Sequence, residues 1–202
     1  MLTQREERIK RGFDLVLSVI GIGVSWWVIL LAWIVASVET RSNGMFFQKR
    51  IGKDGKIFSV FKIKTMKDVH GGSTVTTSTD RRITRSGAFF RKTKIDELPQ
   101  LFNVLLGQMS FVGPRPDVPG FADKLEGDDR MILHVRPGIT GPASLKYRDE
   151  ESLLAKQKDP ERYNREVIWP DKVRINKAYI TSWSLKKDID YIIQTITGSG
   201  YE

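Results

Sequence analysis

Arg91 to Pro116 reads RKTKIDELPQLFNVLLGQMSFVGPRP. Two adjacent carboxylates, Asp96 and Glu97, open an apolar run in which Leu98, Leu101, Phe102 and Leu105 recur at helical spacing. That spacing predicts a helix from about Asp96 to Leu106 with one face buried. Pro99 is tolerated only in the first turn of such a helix, which pins its start to the Asp96 region. Gly107 ends it well. Arg91, Lys92 and Lys94 stand just before the acids, and Arg115 is locked between Pro114 and Pro116.

An acid pair at a helix start is by default a complement to the helix dipole. Its neighbours point further, towards phosphate. Free N–H groups at the helix start would form an anion site. Arg91 can face the same anion, and the two prolines restrict the backbone that presents Arg115. Carboxylates serve as nucleophiles in phosphoryl chemistry. A carboxylate approaching an anionic phosphate needs the repulsion cancelled, which arginines and a divalent ion do. Mg²⁺ takes one or two carboxylates and completes its shell with substrate phosphates, so Asp96 and Glu97 are its candidate ligands. The helix terminus and the cations are expected to keep Asp96 ionised at neutral pH.

Upstream, no residue from Leu15 to Val38 is charged. As a straight helix this segment runs about 36 Å at roughly 1.5 Å per residue, enough for a hydrocarbon core about 30 Å thick. Arg5, Arg8, Lys10 and Arg11 precede it, and Arg41, Lys49, Arg50, Lys53 and Lys56 follow. A spanning helix keeps its cations mainly on the cytoplasmic side. Basic flanks on both sides favour a re-entrant helix, with Gly21, Gly23 and Ser25 as the residues for a break. A plain single span fits the hydropathy equally. Trp26, Trp27 and Trp33 are candidate interfacial anchors.

Beyond the anchor, Met45–Ile51 and Ile57–Ile63 are expected strands. Asp54-Gly55 between them is a hairpin signal. Phe58, Val60, Lys62 and Lys64 share one strand face. Asp68–Asp80 is polar and rich in glycine and threonine, a loop composition. The run containing Arg81, Arg82, Arg85, Arg91, Lys92 and Lys94 suits a basic amphipathic helix on an anionic membrane, with nucleic acid as the competing use of its cations. Gly113 to Gly141 reads as ordered, irregular chain. Asp159-Pro160 and Pro170-Asp171 resemble helix starts, and Leu185, Ile189, Ile192, Ile193 and Ile196 form a helical stripe.

The chain of 202 residues carries a formal charge of +9, a balance suited to anionic lipid, nucleic acid or phosphorylated substrates. It has no cysteine, which excludes disulfides and thiolate metal sites. With only His70 and His134, a multi-histidine zinc centre is not expected. His134 is taken as structural. No GxSxG elbow is visible.

The runs FKIKTM (Phe61–Met66), TRSGAFFRKTKIDELPQLFNVLLGQMSFVGPRP (Thr84–Pro116) and RPGITG (Arg136–Gly141) resemble the bacterial sugar transferases, specifically the small monotopic phosphoglycosyl transferases. The resemblance implies transfer of a sugar-1-phosphate from a UDP-sugar to a polyprenyl (undecaprenyl) phosphate with release of UMP. Asp96 would form a covalent phospho-sugar intermediate, and Glu97 would assist as metal ligand or proton acceptor. Lys62, Lys64, Arg91 and Arg115 match basic family positions and would hold phosphates. Arg136 is either a further substrate contact or a backbone-positioning residue. Mg²⁺ is the implied cofactor. Membrane phospholipid is an implied partner, nucleic acid is not, and relatives leave room for a homodimer.

The implied architecture is α/β (α+β). It joins a re-entrant membrane helix over residues 1–40 to a cytoplasmic catalytic domain over 41–202, with a small antiparallel sheet and amphipathic helices at the inner face of the bacterial inner membrane. Relatives commonly break the membrane helix at Ser-Pro, where Trp26 follows Ser25 here, and Lys94 stands where serine is common. The extra domain of larger relatives is not expected. The rival from another class is a membrane-tethered basic protein that binds nucleic acid or lipid without catalysis.

Overall fold

The computed structural model describes residues 1–67 and 82–198. The loop expected over Asp68–Asp80, and Arg81 after it, lie outside the described residues.

Helix α1 (Gln4–Thr40) begins with a capping box: Thr3 and Glu6 bond each other's backbone amides, which satisfies two orphan donors of the first turn. Among the described residues it is the one helix long and apolar enough to cross a membrane. The helix continues without interruption through Gly21, Gly23 and Ser25, which corrects the expectation of a break there. The physical reason lies in the sequence. No proline removes an amide, and the Ser25 hydroxyl donates to the Gly21 carbonyl at 2.6 Å, a bond that bends a helix without opening it.

One stripe of α1 faces the rest of the protein. Lys10, Asp14, Ser18, Ile29, Ala32 and Ala36 are buried along it, at helical spacing of three and four. Near the start of the helix, Lys10 Nζ lies 2.6 Å from Asp188 Oδ2. Asp14 Oδ1 accepts from Ser110 Oγ and Phe111 N, both at 3.0 Å. Arg11 donates to the carbonyls of Val104 and Leu105. Near its end, Glu39 accepts from the amides of Arg85 and Ser86 and from the Ser86 hydroxyl. Both ends are thus fastened to one body. The opposite face is apolar and exposed, including Val16, Val24, Trp26, Trp27 and Val38.

Strands β1 (Met45–Ile51) and β2 (Ile57–Ile63) pair antiparallel with Met45 opposite Ile63 and Ile51 opposite Ile57, as expected from the sequence. The connecting turn holds Asp54 at φ 57° and Gly55 at φ 76°. Two positive φ values in succession match the right-handed twist of a hairpin, which is why Asp-Gly suits it.

Helix α2 (Arg85–Thr93) follows, capped by the Thr84 side chain on Gly87 N. A 3₁₀ turn (Ile95–Glu97) leads into α3 (Gln100–Leu105). Two further strands, β3 (Ser110–Val112) and β4 (Gly138–Thr140), pair parallel. This pair lies inside and just before the stretch read as irregular, because three-residue strands are too short to show alternation. Helices α4 (Pro142–Lys146), α5 (Glu150–Ala155) and α6 (Pro160–Tyr163) lead through a π-helical turn (Asn164–Ile168) to α7 (Trp169–Thr181) and then α8 (Leu185–Thr197). Asp159 caps α6 through Arg162 N, as its Asp-Pro start predicted.

The main core joins Ile51, Val112, Ile132, Val173, Tyr179 and Ile180. A second cluster packs Ile29, Ala32 and Ala36 of α1 against Ile63 and Phe90. On α8, Ile189, Ile193 and Ile196 are exposed, so its apolar stripe is only partly absorbed by this core. His134 faces Asp54 of the hairpin turn at 3.5 Å.

Candidate active site

The acid pair sits where three segments meet: β2, the 3₁₀ turn, and the loop after β3. Asp96 and Glu97 do not open a regular α-helix. Pro99 instead lies at the junction between the tight turn and α3. The amides of Glu97 and Leu98 donate to the carbonyls of Lys94 and Ile95 within that turn. They are therefore not free to bind an anion, which corrects the helix-terminus expectation. Attraction for phosphate at this site also needs cationic side chains.

Those side chains are present. Lys62 Nζ lies 3.2 Å from Glu97 Oε1, and Arg115 Nη2 lies 3.7 Å from the same oxygen. Lys62 and Glu97 are largely buried, whereas the Arg115 side chain is 52% exposed. Burial pushes the Glu97 carboxyl up, but Lys62, Arg115 and Lys94 outweigh it and hold the group below the usual carboxylate range. Burial likewise lowers Lys62, and Arg115 adds to that, against the pull of Glu97 and Asp96.

Asp96 behaves differently. Its Oδ1 is buried with no hydrogen-bond partner among the described residues. Burial, and then the negative charge of Glu97, raise its carboxyl above the ordinary value, against Lys62, Lys94 and Arg91. Desolvation therefore outweighs the cations in setting the direction of this shift. The two neighbouring acids are shifted in opposite directions, Asp96 upward and Glu97 downward.

The other expected residues fall in graded positions. Arg91 donates from Nε to Thr65 Oγ1 at 2.9 Å and from Nη2 to Met66 Sδ at 3.1 Å; it acts on Asp96 through its charge. Lys64 Nζ donates to Ser42 Oγ at 2.8 Å. Arg136 Nε donates to the Gly107 carbonyl at 2.8 Å, beyond the C-terminal end of α3, whereas the acids precede its N-terminal end. Its contact there is with backbone.

A metal ion at this site would find one uncommitted buried carboxylate oxygen, Asp96 Oδ1, beside the Glu97 carboxylate. No group of three or more His, Cys, Asp or Glu side chains suited to a metal occurs among the described residues. Mg²⁺ accepts one or two carboxylates and completes its shell with phosphate and water, so Asp96 and Glu97 are the residues that would hold it.

Two residues escaped the sequence reading. Arg50 on β1 donates from Nη1 to the Pro116 carbonyl at 3.1 Å, and Nε and Nη2 both reach Gln48 Oε1. Asp117 is partly buried, and desolvation pushes its carboxyl up to about 6 despite Lys172, Arg50 and Arg115. The available signal was period-two spacing, which sets Gln48 and Arg50 on the hairpin face shared with Lys62.

The loop bearing Arg115 is seated by backbone contact between two motifs. Gly113 N donates to Thr140 O at 2.9 Å, and Gly138 N donates to Pro114 O at 2.8 Å. A Cβ at Gly113 would strike the Arg136 carbonyl, and one at Gly138 would strike Gly113 N. GPRP and RPGITG are thus two halves of one close approach that only glycine permits.

Comparison with known proteins gives the family. A UDP-N-acetylgalactosamine-undecaprenyl-phosphate N-acetylgalactosaminephosphotransferase of Aeromonas hydrophila is 34% identical over 194 residues, 93% of this chain and 43% of its own length. A UDP-glucose:undecaprenyl-phosphate glucose-1-phosphate transferase of Escherichia coli (strain K12) is 34% identical over 196 residues, 93% of this chain and 39% of its own. The enzyme of the same name from Xanthomonas campestris pv. campestris is 38% identical over 191 residues, 90% of this chain and 37% of its own. The chain spans about two-fifths of the length of these relatives. The model of the bacterial sugar transferase family matches residues 5–199. Matched over nearly its whole length, with the acid pair and its cations in one cluster, this chain belongs to the bacterial sugar transferase family.

Proposed function

We propose that this chain transfers a sugar-1-phosphate from a UDP-sugar to undecaprenyl phosphate, releasing UMP and forming undecaprenyl-diphosphate-sugar. The observation that carries the reading is the buried, unpartnered Asp96 Oδ1 next to a Glu97 held by Lys62 and Arg115. The names of the relatives support the donor and acceptor classes. They name different sugars, N-acetylgalactosamine and glucose, so the reading stays at the class of UDP-sugar.

In the first half-reaction an Asp96 oxygen attacks the sugar-bearing phosphorus. The bond from that phosphorus to the bridging oxygen breaks, and UMP leaves with the electron pair. A phosphate oxygen of undecaprenyl phosphate then attacks the same phosphorus and restores the carboxylate. The Asp96 oxygen is free to act as a carboxylate nucleophile because no hydrogen bond from the described residues occupies it. Lys62 and Arg115 are placed to offset negative charge on the diphosphate as it approaches. Mg²⁺ held by Asp96 and Glu97 would supply further charge neutralisation for the phosphates.

The membrane arrangement in this reading is monotopic. A helix perpendicular to a bilayer would carry its C-terminal end away from the body its N-terminal end grips. The fastening of α1 to one domain at Lys10–Asp14 and again at Glu39 supports insertion into one leaflet, on the cytoplasmic face where nucleotide sugars are available.

The test is UMP release from a UDP-sugar by protein in bilayer nanodiscs supplied with Mg²⁺ and undecaprenyl phosphate. Asp96→Asn should abolish release while leaving folding and membrane association intact. Undiminished release from that variant would refute Asp96 as the nucleophile, and absence of release by the unaltered chain would favour a membrane-tethered binding protein.

A further inference from the structure

We propose that Arg50 is a positioning residue that fixes Arg115 beside Glu97, an inference that rests on Arg115 acting as a phosphate ligand. The end of β1 grips the loop after β3 at two successive carbonyls. Arg50 Nη1 donates to Pro116 O at 3.1 Å, and Ile51 N donates to Asp117 O at 2.9 Å. Arg115 immediately precedes the gripped pair. Its own side chain is half in solvent and reaches Glu97 only at 3.7 Å, too long for a hydrogen bond that would hold it. What places this guanidinium is therefore the backbone beneath it.

Three features make Arg50 the residue that sets that backbone. Gln48 Oε1 accepts from Nε at 3.2 Å and from Nη2 at 2.7 Å, so the plane of the guanidinium is fixed before it meets Pro116 O. Pro114 and Pro116 narrow the conformations of the loop, so one further fixed point is enough to select a geometry. From the other side Gly113 and Pro114 are bonded to Thr140 and Gly138. Arg115 is thus suspended between β4 and β1.

The choice of arginine also has an electrostatic side. Arg50 and Arg115 are close enough for each to oppose the other's charge, with Glu97 and Asp117 offsetting this. Holding two guanidiniums together is favourable when an anion joins them, and a diphosphate is such an anion. Lysine at position 50 would keep the charge but lose the planar fork that joins Gln48 to Pro116.

The test is a double-mutant cycle on the full chain in nanodiscs, read as the KM for a UDP-sugar in UMP release and as affinity for inorganic pyrophosphate by calorimetry. We expect Arg50→Gln to raise KM and weaken pyrophosphate about tenfold with kcat within about threefold, since ground-state binding is what it disturbs. Arg115→Gln should raise KM and weaken pyrophosphate at least as much, and the double variant should match Arg115→Gln alone within about twofold. Arg50→Lys should behave as Arg50→Gln. Multiplying effects in the double variant, or full recovery by Arg50→Lys, would overturn the positioning role. If Arg50→Gln fails to fold, Gln48→Leu disturbs the same guanidinium and must show the same non-additivity with Arg115→Gln. Absence of UMP release by the unaltered chain would count against the transferase reading alone, because the pyrophosphate cycle needs no turnover.

Discussion

Lys10→Met gives the sharpest test of how α1 is held. Lys10 Nζ lies 2.6 Å from Asp188 Oδ2 and 3.2 Å from the Tyr179 hydroxyl. Asp188 is fully buried, at 0% exposure, and also accepts from Tyr179 OH at 2.7 Å and Trp183 Nε1 at 3.0 Å. Removing one partner of a buried ion pair costs about 3–5 kcal/mol, because the other charge stays desolvated without compensation. Two neutral donors remain on Asp188, which places the cost near the lower bound, about 3 kcal/mol. With a urea dependence of about 2 kcal/mol per M, the unfolding midpoint should fall by about 1.5 M.

The assay is urea unfolding of the detergent-solubilised protein, followed by tryptophan fluorescence. Lys10→Met combined with Asp188→Leu should lose less than the two single changes added together, since no charge is then left unpaired. Limited trypsin digestion should cut Lys10→Met more readily at Arg5 and Arg8, as the first turns loosen from α7 and α8. A midpoint within about 0.5 M of the unaltered protein, or losses that simply add in the double variant, would refute the claim that this pair anchors the helix.

Asn103→Ala should lower stability by about 2–4 kcal/mol, measured by the same unfolding assay. Its fully buried amide accepts from Phe61 N and donates to Ser59 O and Gln108 Oε1, so β2 loses its bond to α3. Asp117→Asn should stabilise the protein at pH 7.5 but not at pH 3.5. Its folded-state carboxyl titrates at about 6, against an ordinary value of 3.8, so the fold favours the protonated form and stability falls as pH rises from about 4 to about 6. The penalty then stays constant and amounts to at most about 3 kcal/mol. A thermal midpoint for the variant below that of the unaltered protein at pH 7.5 would contradict this sign. A cysteine introduced at Met1 should react with a membrane-impermeant maleimide only when the cytoplasmic face is open; labelling from the outside of intact cells would establish a span.

The hairpin was legible in the sequence to the residue, because Met45–Ile51 and Ile57–Ile63 flank Asp54-Gly55, whose required backbone geometry is strongly tied to residue type. The acid pair and its cations were legible as a cluster but not as a geometry. Whether Asp96 opens an α-helix or sits on a tight turn depends on how Pro99 is accommodated, which the leucine spacing of α3 does not register. Burial of Asp96, and hence the direction of its shift, is a tertiary quantity that no local pattern carries. Asn103 was missed because a polar residue within an apolar helix reads as solvent-facing, whereas here it is the bolt between α3 and β2. Arg50 and Asp117 were missed for a related reason, since their roles arise from a contact across 66 residues of chain. The pairing of Gly113 with Gly138 is a tertiary contact too: the two lie in separate motifs, and only the fold shows that each requires the other to be glycine.

Helix α1 is clasped near both of its ends by the body that carries Asp96. A rod held at two points cannot pivot or slide on its own, so its bare flank and the Asp96 carboxylate move as one piece. Whatever height the lipid surface assigns to that flank is handed on, undiminished, to the chemistry. In the proposed reaction a water-soluble donor and a greasy acceptor would then meet at a fixed altitude, with no moving arm to bring one to the other.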